Sequence, residues 1–240
     1  MHAVSLAKLF ASVIALIGPA PADSPKELQL KSGDQIVAIG DSITAAGGYL
    51  HYADTVLASE YPDLKIPKII NVGVSGQHAE HMAPRFQKDV VDRKPQWVTI
   101  SVGINDVWHR LGQPHDPKVL EEYIKNVTKM VDLAQAAHIK VILLSPTIIQ
   151  EDATQEGNKR LLLYVAAEKK IAEEKKCQFV DLHEDFVKAL TKKPADFKGN
   201  WLTADGVHMK PMGDAIMALG ILRAVGVPDA KTEGAAAASK

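Results

Sequence analysis

The chain has 240 residues, 46% of them hydrophobic and 24% charged, with a net charge of −1, the balance of a globular protein with one main domain. A chain of this size buries roughly 70% of the surface its unfolded form exposes, so its core does not depend on a disulfide or a structural metal; its one cysteine, Cys177, has no internal partner. Basic residues are scattered, apart from Lys169-Lys170 and Lys175-Lys176 on a solvated helix face, which argues against a nucleic-acid partner.

In chain order, the first feature is the apolar stretch Leu9 to Ile17, behind Lys8 and ahead of Ala20-Pro21-Ala22. This is the pattern of an export signal, residues 1–22, with cleavage expected before Asp23. The stretch is far short of the ~20 residues a spanning helix requires. A secreted or periplasmic protein with no stable membrane anchor is therefore expected. Over residues 23–228, strand-length apolar runs at 35–39, 68–72, 97–102, 140–145 and 178–181 alternate with segments of helical period at 49–61, 79–92, 117–138, 158–176 and 211–225. Such alternation marks a parallel sheet covered on both faces. The clearest helix carries Leu120, Tyr123, Ile124, Val127, Met130, Val131 and Ala134 on one stripe expected to be buried, with Asp116 as its cap and Pro117 in its first turn. Residues 229–240, rich in alanine, read as a disordered tail.

The chemistry-bearing residues fall at the ends of these runs. Ser42 stands in Gly40-Asp41-Ser42-Ile43, directly after the first strand. A serine hydroxyl is too weakly acidic to attack an ester unless a histidine takes its proton and a carboxylate holds the imidazole. Asp205-Gly206-Val207-His208 offers both, three residues apart, so one turn can place them together. Two further blocks, Asn71-Val72-Gly73-Val74-Ser75-Gly76 and Gly103-Ile104-Asn105-Asp106, follow the second and third strands. Ligands of open α/β sheets bind outside the carboxyl ends of the strands, so Ser42, Gly76 and Asn105 share one edge. Each also has a purely local reading: a helix cap for the serine, a turn for the glycine, an Asx turn for the asparagine. Ser75 is the rival serine, although the Gly-x-Ser-x-Gly elbow is absent. His78, Glu80 and His81 are metal-ligating types, but the pattern His-Glu-x-x-His is missing and no metal is expected.

The four blocks, in the order Ser, Gly, Asn, His between Gln35 and about Ala224, resemble those of the SGNH hydrolases, the GDSL esterases and lipases. The resemblance implies an α/β, flavodoxin-like three-layer sandwich with a five-stranded parallel sheet in the order 2-1-3-4-5. It implies Ser42 as nucleophile, His208 as general base and Asp205 as the carboxylate that orients it. The oxyanion hole would comprise the backbone N–H groups of Ser42 and Gly76 and the side-chain amide of Asn105, with no cofactor. Asp41 and Asp106 are expected to hold nearby loops. His78, where related sequences often carry a hydroxyl residue, is an expected substrate contact together with Trp108 and Trp201. Each tryptophan could equally stack on a sugar ring or pack under a loop. No segment is long enough for a large lid. An open site and a short acyl ester of carbohydrate, acetyl above all, are therefore expected. A lysophospholipase, lipase or thioesterase is the alternative, followed by an acyltransferase, a non-catalytic carbohydrate-binding module and, last, a phosphatase using Asp41.

Overall fold

The computed structural model describes residues 6–234. Parallel strands covered on both faces read as continuous apolar runs, and five such segments form the sheet: β1 (Ile36–Gly40), β2 (Ile70–Asn71), β3 (Trp97–Ser101), β4 (Lys140–Leu144) and β5 (Gln178–Val180). Every residue of β1 and β3 is buried. All pairings are parallel, in the order β2-β1-β3-β4-β5. Ile36 to Gly40 lie opposite Trp97 to Ser101, which lie opposite Lys140 to Leu144. The three central strands therefore end level, and the loops after β1 and β3 open on the same edge.

The helices are α1 (Leu6–Ile17), α2 (Ser42–Ala46), α3 (Gly48–Glu60), α4 (Ala79–Asp89), α5 (Ile104–Trp108), α6 (Pro117–Ala136), α7 (Glu156–Lys175), α8 (Leu182–Leu190), α9 (Pro211–Ala224) and α10 (Asp229–Gly234). The chain runs outward from β1 to β2, then returns past β1 to β3, β4 and β5. Right-handed crossovers then place α3 on the face opposite α4, α6 and α7. The packing follows: α4 lies on α6 and α6 on α7, whereas α3 lies on α9, which also meets α8 and α1. From Gly213 to Ala224, α9 is buried except at Asp214, as a helix enclosed between sheet and helices must be. The switch point between β1 and β3 is where a ligand crevice forms.

Most expected elements are present with ends moved by a few residues, and α6 starts as its sequence indicates, Asp116 accepting the Lys118 N–H at 2.9 Å; on its stripe, Ile124 is instead exposed. Several differ more. The strand expected at 68–72 contracts to Ile70–Asn71 at the sheet edge, and the Asn71 side-chain amide donates to the Thr44 carbonyl at 2.6 Å. The helix expected at 79–92 ends at Asp89 and tightens into a 3₁₀ turn, Val91–Arg93. Between the termini, three α-helices were not expected: α2, α5 and α8, the last capped by Asp181, which accepts the Glu184 N–H at 2.9 Å.

Two further helices lie at the termini. The apolar stretch expected as the core of an export signal forms α1, whose Phe10, Val13 and Ile17 are buried against α8, α9 and α10; the expected cleavage point falls in the turn that follows. The expected disordered tail begins instead with α10. Its start is held by Asp229, which takes both Nε and Nη2 of buried Arg223 at 2.8 Å, and Arg223 also donates to the Gly18 carbonyl. Residues 1–5 of the expected signal and 235–240 of the expected tail lie outside the described residues. Among the described residues, no helix is long and apolar enough to cross a membrane.

Candidate active site

Ser42 is the first residue of α2, immediately beyond β1. Asp41 caps this helix, accepting the Ile43 N–H at 2.9 Å. Burial raises the Asp41 carboxyl to about 6, against the pull of the Ile43 N–H and of His208. Asp41 is thus the loop-holding residue expected. First-turn N–H groups have no acceptor within their helix, and the Ser42 N–H makes no hydrogen bond among the described residues. Gly40 is required by close approach: a Cβ there would lie 2.0 Å from Thr44 Oγ1. Arg85 braces the same loops, donating to the Val72 carbonyl at 2.8 Å and the Gly40 carbonyl at 3.4 Å.

Asp205 and His208 fold back over this edge. His208 Nε2 lies 2.9 Å from Ser42 Oγ, and His208 Nδ1 lies 2.7 Å from Asp205 Oδ2. The other Asp205 oxygen accepts the N–H groups of Val207 and His208 at 3.0 and 2.8 Å. Partial burial works to raise the Asp205 carboxyl, but these N–H groups and the imidazole outweigh it and hold it at about 2. A hydroxyl, an imidazole and an ionised carboxylate in series can move a proton from serine to histidine while the carboxylate stabilises the imidazolium.

Glu151, which the sequence reading passed over, holds this turn. Its carboxylate accepts the backbone N–H groups of Trp201, Leu202 and Thr203 at 2.6 to 2.7 Å, and the Thr203 hydroxyl at 2.7 Å. Thr203 Oγ1 in turn accepts the Gly206 N–H at 3.1 Å, and the Gln150 N–H donates to the Gly206 carbonyl at 2.8 Å. Gln150 and Glu151 both adopt positive φ to do so, 60° and 52°. In sequence, Gln150-Glu151-Asp152 is indistinguishable from a solvated polar loop.

Gly76 lies after β2 with φ of 77°, the left-handed region that favours glycine, and its N–H makes no hydrogen bond among the described residues. Buried Asn105, in α5, donates its amide to the Gln77 carbonyl at 3.1 Å. That bond uses one of two amide protons and joins the third block to the second. Asp106 accepts the Ala79 N–H at 3.4 Å, a second tie between the same loops; burial raises its carboxyl to about 7. Ser75 is exposed and has no histidine partner among the described residues. Burial pushes the Cys177 thiol to about 11, unlike an activated nucleophile.

The expected substrate contacts separate. Trp108 meets His208 edge-on, ring centroids 6.0 Å apart. Trp201 packs against the core and is held through its backbone by Glu151. His78 is buried with both ring nitrogens engaged, Nε2 by His109 at 2.9 Å and Nδ1 by Arg110 at 3.1 Å, so its imidazole has no free nitrogen to offer a substrate. His78, Glu80 and His81 do bring ligand-type atoms within 4.8 Å of one another, but the Arg110 guanidinium lies on His78 Nδ1 and 3.7 Å from Glu80, where it already supplies the positive charge. A 670 Å³ cavity between α3 and the chain around β2 is lined neither by Ser42 nor by His208.

A parallel five-stranded sheet with serine, histidine and carboxylate in series at its carboxyl edge is the architecture of the SGNH hydrolases; residues 38–216 match the GDSL-like Lipase/Acylhydrolase family, and the chain belongs to it. It is a carboxylic ester hydrolase. An acetylxylan esterase from Geobacillus stearothermophilus is 31% identical over 218 residues, 83% of this chain and 97% of that protein. The crystal structure of that esterase superposes with a TM-score of 0.74 over the same shares of the two chains. The structure of LAE5, an alpha/beta hydrolase enzyme from the metagenome of Lake Arreo, Spain, is 28% identical, with a TM-score of 0.74 over 83% of this chain and 98% of that one. The uncharacterized lipoprotein YqeF of Bacillus subtilis (strain 168) is 30% identical over 190 residues, 72% of this chain and 74% of that protein.

Proposed function

We propose that the chain is an exported serine esterase that removes short acyl groups, acetyl above all, from carbohydrate through an acyl-enzyme on Ser42. The observation that carries this reading is the pair of contacts His208 makes, 2.9 Å to Ser42 Oγ and 2.7 Å to Asp205. Ser42 Oγ attacks the ester carbonyl as His208 Nε2 takes its proton, and Asp205 holds the Nδ1–H tautomer and stabilises the imidazolium. The N–H groups of Ser42 and Gly76 and the free amide proton of Asn105 receive the developing oxyanion. His208 then gives its proton to the departing alcohol, and water, activated by the same histidine, hydrolyses the acyl-enzyme. In the Geobacillus esterase the catalytic mutants replace a serine, an aspartate and, three positions after the aspartate, a histidine, the spacing of Asp205 and His208 here.

The substrate reading draws on the acetylxylan esterase relative and on acyl-chain energetics. Longer acyl chains gain about 0.8 kcal/mol per buried methylene and need an extended apolar channel; the 670 Å³ cavity lies away from the serine. Export draws on the signal-like stretch before Asp23 and on the relative named as a lipoprotein. A panel of esters varied in acyl length and alcohol tests the reading. The expected result is a kcat/KM highest for acetyl or butyryl, declining by octanoyl, with acetylated sugars preferred to lysophospholipids. A preference that rises with chain length would overturn it in favour of a lipase. Acyl transfer to an added sugar that outpaces release of free acid would make the protein an acyltransferase.

A further inference from the structure

Building on that carbohydrate reading, we propose that His109 is the donor to a sugar hydroxyl flanking the scissile ester, and that Arg110 and His78 hold it in the tautomer that donates. The direction of the relay follows from its first member. A guanidinium has donors only, so with Arg110 Nη1 at 3.1 Å, His78 Nδ1 is the acceptor. The proton of neutral His78 therefore resides on Nε2, which lies 2.9 Å from His109 Nδ1. That bond makes His109 Nδ1 an acceptor, and neutral His109 carries its own proton on Nε2. His109 Nε2 makes no hydrogen bond among the described residues, and the residue is exposed where His78 is buried. Burial, with Arg110 and the neighbouring imidazoles, pushes His78 down to about 4, so His78 itself is neutral at neutral pH.

Its placement assigns the part of the substrate it meets. The His109 ring stands 5.3 Å from Trp108, whose indole meets His208 at 6.0 Å. His208 is the group that protonates the leaving alcohol, so the alcohol moiety lies on its side of the serine. The acyl group lies toward the oxyanion donors at Gly76 and Asn105. We place the His109 donor on the alcohol moiety because it adjoins the indole that meets His208. A sugar ester has hydroxyls beside the ester to accept this bond, and an aryl ester has none. The His78 position therefore acts through His109, as an orienting group rather than a contact.

The test compares kcat/KM on acetylated xylo-oligosaccharide and on para-nitrophenyl acetate for the wild type, His109→Leu and His109→Gln. His109→Leu is expected to lose about tenfold on the sugar, the scale of one hydrogen bond, and far less on the aryl ester. His109→Gln, whose amide can donate, is expected to recover most of the loss. Equal losses on both substrates, or no loss on the sugar, overturn the subsite while leaving the esterase reading intact. A wild type that cleaves the aryl ester but not the sugar overturns the carbohydrate reading and the subsite together. Imidazole nitrogen NMR reads the relay independently of activity: His109 protonated on Nε2 in the wild type is expected, and a Nδ1-protonated His109 overturns it.

Discussion

Ser42 Oγ and His208 Nε2 lie 2.9 Å apart although 166 positions separate the two residues. Ser42 is placed by the end of a central strand, and its position follows from the buried register of β1 against β3. His208 has no strand behind it. Its turn rests on the Glu151 carboxylate and the Gln150 backbone on one side and on the start of α9 on the other. The contact therefore depends on the loop after β4 as well as on the two residues that make it.

Ser42→Ala is expected to abolish ester hydrolysis and leave the fold intact, because the side chain sits at a half-buried loop edge and not in the core. A fluorophosphonate should label the wild type at Ser42 alone, read by peptide mass spectrometry. Labelling at Ser75, or turnover by the alanine variant, contradicts the assignment.

Asn105→Ala should lower kcat by ~10²- to 10³-fold, roughly 3 kcal/mol, the scale of one oxyanion-hole donor. The same substitution removes the bond to the Gln77 carbonyl, so thermal melting should fall modestly. A change confined to KM would make Asn105 a ground-state binding group.

Glu151→Gln replaces an acceptor-only carboxylate by an amide whose nitrogen faces backbone donors. Loss of charge-assisted bonds should destabilise the protein by roughly 1.5–3 kcal/mol, and a displaced His208 should lower kcat by about 10- to 100-fold. Kinetics on protein shown to be folded separate the two effects. A lowered Tm with unchanged kcat would leave Glu151 a purely structural residue.

Asp106 gives a pH signature. Burial raises its carboxyl to about 7 in the fold, whereas an unfolded aspartate ionises near about 4. Between these values the folded protein binds more protons than the unfolded chain, so this contribution to stability is present at low pH and is lost as pH rises through about 7. Asp41, raised to about 6, acts in the same direction. Asp205, held at about 2, has the opposite sign, and its contribution is lost as pH falls from about 4 through about 2. Tm should therefore lose this contribution between about pH 4 and about pH 7, and Asp106→Asn should reduce that fall. An identical slope in the variant would contradict the assignment.

Protein recovered from outside the cytoplasm is expected to begin at Asp23, as read by intact mass and N-terminal sequencing. A mature chain that retains α1 would instead make that helix part of the working fold, where Phe10, Val13 and Ile17 are already buried.

What the sequence determined by itself is local or periodic. The buried strands were legible because a parallel strand covered on both faces needs an unbroken apolar run, and the start of α6 because Asp116 and Pro117 act within one turn of their own position. The order of the Ser42, Gly76, Asn105 and His208 blocks was enough to indicate the family. Helices α2, α5 and α8 escaped because they are too short for a hydrophobic period to accumulate. The packing of Phe10, Val13 and Ile17 against α8, α9 and α10 escaped because an apolar stretch reads alike whether it meets a bilayer or a core. Only tertiary structure decided the rest. Glu151 acts across some fifty positions on a turn it does not resemble in sequence, and both ring nitrogens of His78 are engaged by residues thirty-one and thirty-two positions away, His109 and Arg110. Such assignments depend on distances between elements, and hydrogen bonding acts over ångströms in space whatever the separation along the chain.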